Sequence, residues 1–179
     1  MTLEEVKSLL SDHNISFEMQ RFRNESEYWH HAMLFPHVKN ANHCEVVAIV
    51  IKSNNGEKHM ELQFNAVDGI FCFQEMRFGE YGFEESDVSE EMLAEDLLNR
   101  IYEVQSGGFV VIAANDLKNK RWLGDVCFDM NDDDAVFGAP GYRKAMERIR
   151  NPKRLLYKLI RSKKQYEIYD WNSYQCIVK

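Results

Sequence analysis

The residue pattern predicts an α+β fold built mainly on an antiparallel sheet of about five to six strands, with an N-terminal helix, a central helix and a basic C-terminal helical pair. Three observations predict it. Period-two apolar runs are separated by turn residues, two stretches carry apolar stripes at helical spacing, and residues 143–164 hold ten Lys/Arg against one acid. The order helix, strands, helix, strands, helices suggests a segregated α+β arrangement rather than the alternation of a parallel α/β fold. At 179 residues and 45% hydrophobic content, the chain reads as a single domain covering residues 1–179.

Thr2 and Glu5 form a capping box, and Leu3, Val6, Leu9 and Leu10 make the stripe of the first helix, which Asn14 ends. Ile15, Phe17 and Met19 then alternate with Ser16, Glu18 and Gln20 as a half-buried strand, with Arg21 and Arg23 continuing into water. Residues 24–43 show neither period and read as a loop, with a short helix around residues 28–35 that Pro36 stops. Residues 44–52 are an almost unbroken apolar run, expected as a central strand covered on both faces.

Asn54-Asn55-Gly56 and Asp68-Gly69 supply hairpin turns, so residues 57–65 and 70–78 complete a meander. In the return strand Met60, Leu62 and Phe64 are expected inward, and His59, Glu61 and Gln63 outward. Asp87 and Glu90 cap a central helix whose stripe is Met92, Leu93, Leu97, Ile101 and Val104, and Gly107-Gly108 ends it. Residues 109–114 read as a strand and residues 115–120 as a turn. In the next strand Trp122, Val126, Phe128 and Met130 share a face opposite Asp125 and Asp129. Pro140 and Asn151-Pro152 each start a helix of the basic pair, and residues 166–179 are too apolar to float, suggesting an edge strand or docked tail.

Charge is the strongest functional signal. Within the basic segment, residues 142–164, the stretch 143–164 has a formal charge of +9 in a chain of −7, which leaves −16 on the other 157 residues. If Met146, Ile149, Leu155, Leu156, Leu159 and Ile160 anchor its helices, Arg143, Lys144, Arg150, Arg154, Lys158, Arg161 and Lys164 are the candidate partner-binding residues. Arg154, Lys158 and Arg161 fall on one side of the second helix. Phosphates suit such a surface because each neutralised one releases condensed counterions. The same cations would otherwise solvate a surface helix, or answer the acidic body within the molecule or across a dimer.

Other chemistries fit less well. Asp129, Asn131 and Asp133 begin like a calcium loop, but Asp134 and Pro140 stand where glycine and glutamate are needed. His30, His31, His37, His43 and Cys44 are dense without a second spaced pair of zinc ligands. Asp116 and Lys118 resemble half of a metal-dependent nuclease site, with Asp125 and Asp129 as further acids, but the same residues read as turn chemistry. Tyr81 and Phe83, beside Arg77, offer rings for base stacking but fit the core better.

Cys44, Cys72, Cys127 and Cys176 lack a Cys-x-x-Cys pair and look like buried, inert thiols. The absence of an export-type N-terminus and of a long apolar run suggests a cytoplasmic protein with no membrane contact. The expected function is non-enzymatic: binding a nucleic acid or a nucleic-acid-handling protein as a regulator or inhibitor, of the phage or mobile-element kind, without a cofactor or bound metal. Alternatives are a toxin-neutralising (immunity-type) or assembly protein, and a metal-dependent hydrolase or nuclease. A homodimer is compatible with the charge layout.

Overall fold

Thr2 Oγ1 accepts from the Glu5 amide and Glu5 Oε2 from the Thr2 amide (2.8 Å), which fixes the start of α1 (Leu3–Asp12). Asn14, at φ 56°, turns the chain out of the helix. In the computed structural model, described for residues 1–36, 43–79, 81–82, 94–130, 141–150 and 163–179, the elements that follow are β1 (Glu18–Phe22), α2 (Glu25–Ala32), β2 (Val46–Ile51), β3 (Met60–Val67), β4 (Ile70–Phe78), β5 (Tyr81–Gly82), α3 (Ala94–Gln105), β6 (Phe109–Asp116), β7 (Arg121–Asp129), α4 (Tyr142–Arg150), β8 (Lys164–Tyr169) and β9 (Tyr174–Val178). The α+β class holds. No helix among the described residues is long and apolar enough to cross a membrane.

The strands form two antiparallel sheets rather than one of five to six strands. The first runs β1-β2-β3-β4, with the two-residue β5 at its edge, and the second runs β7-β6-β8-β9. Period two shows which side chains share a face but not which strands become neighbours. The pairing of β8 with β6 joins segments about fifty residues apart, beyond the reach of a local pattern. The C-terminal stretch is accordingly a hairpin, β8 and β9, closed by Asp170, whose carboxylate accepts from the Asn172 and Ser173 amides.

β2 is buried at every position and lies between β1 and β3, as its continuous apolar run requires. The hairpin turns also behave as their residues dictate. Asn55 Oδ1 accepts from the Glu57 and Lys58 amides, and Asp68 and Gly69 both take positive φ. One core cluster draws Val6 and Leu10 of α1, Ile49 of β2, Leu62 and Phe64 of β3, Leu97 and Ile101 of α3, and Val111 and Tyr169 of the second sheet. Across it, the Tyr169 hydroxyl donates to the Phe78 carbonyl at 3.0 Å, and Asn55 reaches the Asp170 and Trp171 carbonyls of the β8–β9 turn.

Three local expectations are corrected. β1 begins at Glu18, leaving Met19 46% exposed while Phe22 is buried, because α2 covers the opposite face from the one that Ile15 and Phe17 suggest. That helix starts at Glu25, with the Asn24 side chain accepting from the Glu27 amide, and ends at Ala32 rather than near Pro36. Within β7, Leu123 is an extra residue at a register shift, so Trp122 shares the inner face with Asp125 and Cys127. Phe128 turns to the opposite face, and Val126 is 46% exposed. The predicted contributions of Asp87, Glu90, Met92, Leu93, Pro140, Asn151 and Pro152 lie outside the described residues, whereas Leu97, Ile101 and Val104 are buried as expected.

Candidate functional site

α4 is short and strongly two-sided. Met146 and Ile149 are buried against Val110 and Ile112 of β6 and Ile168 of β8, and Tyr142 packs edge-on to Phe128 at 5.7 Å. Gly141 opens the helix, its carbonyl accepting from the Lys144 and Ala145 amides. With those apolar side chains fixed, helical geometry forces Arg143, Lys144, Arg148 and Arg150 onto the remaining arc, about 160° of the circumference, with Glu147 among them. All four cations are exposed, and among the described residues none has a carboxylate within ion-pair distance. Lys179 Nζ donates to the Arg150 carbonyl at 2.8 Å, tying the end of the helix to the edge of the sheet.

Of the candidate partner-binding residues, the fold therefore brings Arg143, Lys144 and Arg150 together on one solvent face and adds Arg148. Lys164 sits apart, half-buried at the start of β8, where its backbone pairs with Lys179. Arg154, Lys158 and Arg161 lie outside the described residues.

A second polar group, absent from the sequence reading, lies beneath α2. Tyr28 is fully buried, and its hydroxyl donates to Glu61 Oε2 at 3.0 Å. Glu61 also faces His31 Nε2 at 3.9 Å, and Arg77, 2% exposed, stacks over the Trp29 ring at 4.2 Å beside Glu75 at 3.8 Å. Burial first, and then the Glu61 charge, push the Tyr28 hydroxyl well above its ordinary value. Gln63, expected outward, is 2% exposed on the same face. These residues alternate like a solvated strand face, yet Tyr28, Trp29 and His31 of α2 lie against Glu61 and Arg77. Arg77 is thereby enclosed rather than presented to a base.

The remaining candidates resolve into structure. Asp116 accepts from the Lys118 and Asn119 amides and from Asn119 Nδ2, and the Asn119 bonds hold its carboxyl below the usual range, so it serves the turn. Asp125 is on the inner face of its sheet and Asp129 is exposed at the end of β7. His30 Nδ1 lies 2.7 Å from the Ser26 carbonyl, His31 packs on Phe22, and His37 lies outside the described residues. Among the described residues no three His, Cys, Asp or Glu side chains converge as a metal cluster. The cysteines are not uniformly buried. Cys44, Cys72 and Cys127 are half-buried and Cys176 is exposed; burial and then Asp125 push the Cys127 thiol up to about 12.

Asn115 is fully buried on the inner face of β6, and among the described residues neither its amide atoms nor neighbouring Trp122 Nε1 finds a hydrogen-bond partner. Comparison of the chain with protein-family models, with curated proteins and with solved structures finds no match.

Proposed function

We propose that the chain works by binding rather than catalysis, and that the cationic face of α4 contacts the phosphates of a nucleic acid or of a nucleoprotein, in a regulatory role. One observation carries this reading: Arg143, Lys144, Arg148 and Arg150 project from a helix fixed by Met146 and Ile149, and they face solvent with no carboxylate partner among the described residues. No acid among the described residues pairs with them. Rigid mounting also spares the partner part of the ordering cost that a flexible basic tail would add on binding. Phosphate contacts of this kind give affinity and orientation, with sequence choice left to groups that reach base edges.

The test is anisotropy titration of labelled single- and double-stranded oligonucleotides across a salt series. Four neutralised phosphates on a duplex predict a log–log salt slope of roughly −3.6, and Arg148→Ala with Arg150→Ala should reduce its magnitude by about 2. Glu147→Gln, which removes the acid among the cations, should tighten binding. Binding that is absent at low salt, or unchanged by the double substitution, would refute the assignment.

A further inference from the structure

The outer edge of β9 follows an unbroken rule. Lys164 and Lys179 exchange backbone hydrogen bonds, and the Asp170 amide donates to the Ser173 carbonyl, with continuous register between them. Alternation then directs the N–H and C=O groups of Ile177 and Gln175 toward β8. Those of Tyr174, Cys176 and Val178 point away from it, and among the described residues no strand pairs with that side. Free edges are usually blunted by charge, proline or a bulge. β1 carries Glu18 and Arg21, paired with Lys52 and Glu45, and β7 carries the extra Leu123. Tyr174–Val178 has no charged residue, no proline and no register shift.

We propose that this edge pairs with the same edge of a second copy, antiparallel and centred on Cys176, to give a continuous eight-stranded sheet across a two-fold axis. This register uses all five residues of the strand. Cys176 lies opposite Cys176 of the second copy, and Tyr174 opposite Val178, an aromatic and β-branched pair of the kind that stabilises adjacent strands. Charge agrees with the direction. Lys163, Lys164 and Lys179 cluster at one end of the hairpin, and antiparallel pairing brings that end to the turn holding Asp170 of the other copy. Self-pairing is isologous and closes, so it ends at a dimer rather than a filament. The strip is short, and its dissociation constant is expected in roughly the micromolar range.

A two-fold axis normal to the sheet leaves equivalent faces on the same side. Both copies of α4 then stand on one surface, roughly 20 Å apart by strand spacing, and on the phosphate-binding reading they would act together. The dimer itself is tested without nucleic acid, so its failure and that of the binding assignment are separate results. Sedimentation equilibrium of the reduced full chain should show a concentration-dependent species at twice the monomer mass. Val178→Lys, at a position already 48% exposed, should raise the dissociation constant at least about tenfold with an unchanged melting curve. Cys176→Pro, which removes an outward N–H that makes no bond to β8, should do the same. A short thiol-to-thiol cross-linker should trap the wild-type dimer but not Cys176→Ser. A monomer at all concentrations, or a dimer indifferent to both edge substitutions, would overturn the proposal.

Discussion

Tyr28→Phe isolates one hydrogen bond in the polar group beneath α2. The ring is fully buried and packs edge-on against Phe22 at 5.4 Å and Trp29 at 5.4 Å, so phenylalanine keeps the packing and loses only the hydroxyl. That hydroxyl donates to Glu61 Oε2, and a hydrogen bond to a charged acceptor contributes about 1.5–3 kcal/mol. Urea unfolding at neutral pH should show a loss in that range, and a double-mutant cycle with Glu61→Gln should return most of it as coupling. The pH dependence supplies an independent sign. Folding raises the Tyr28 hydroxyl above its unfolded value, so its contribution is complete below about pH 10 and disappears as pH climbs through the folded value. Tyr174 is raised too, by burial and by its bond to Glu167, so some alkaline loss will remain in the variant. Tyr28→Phe should nonetheless flatten the decline. A variant within about 0.5 kcal/mol of wild type, with the same alkaline slope, would show that the buried hydroxyl does not organise this face.

Gly79→Ala should be more destabilising than Gly69→Ala in thermal melts. Both sit at positive φ, which disfavours a side chain by roughly 1–2 kcal/mol, but only at Gly79 would a Cβ lie 2.6 Å from the Tyr169 hydroxyl oxygen; equal losses would refute the clash. Native-state thiol labelling at pH 8 should modify Cys176 first, since a thiol at about 12 has a thiolate fraction near ~10⁻⁴, and Cys127 reacting at a matching rate would contradict its burial. Asn115→Leu, close in volume, should raise the melting temperature by removing a buried amide that no group among the described residues satisfies, a relief of about 1–3 kcal/mol; a lower melting temperature would show that the amide is bonded in solution.

Features set by neighbouring residues were legible in the sequence. Thr2 and Glu5, Asn14, Asn55-Gly56, Asp68-Gly69 and Gly107 each act within a few residues, and the structure places them as their chemistry requires. What depends on distant pairing was not. The alternation in β7 breaks at Leu123, whose bulge is defined only by its register with β6. α2 was expected around residues 28–35 rather than at Glu25–Ala32 because its buried side is one tyrosine among polar residues rather than an apolar stripe. Trp29 of that helix covers Arg77, which the sequence offered beside stacking rings, and Gln63 on the same face is buried although expected outward. For the candidate site, the count of cations was visible, but their direction was not. It becomes defined once Met146 and Ile149 dock on Val110, Ile112 and Ile168.

The placement of Lys144 separates folding from binding within a single substitution. It occupies the first turn of α4, where the helix dipole favours an acid, and stands four residues before Arg148, a like-charge spacing. Both relations are unfavourable to an isolated helix. Lys144→Glu reverses them, with Glu preceding Arg by four residues in the better orientation and a carboxylate at the positive end of the helix dipole. The expected gain is about 0.5–1.5 kcal/mol from the pair and the dipole together. If the cationic face exists to meet phosphates, the same change should weaken oligonucleotide binding more than tenfold at low salt while the protein melts at a higher temperature. If the cations only solvate the helix, stability rises and binding is unaffected. The opposite signs exclude a general loss of structure as the cause of weaker binding, because the variant that binds less is the one that folds better.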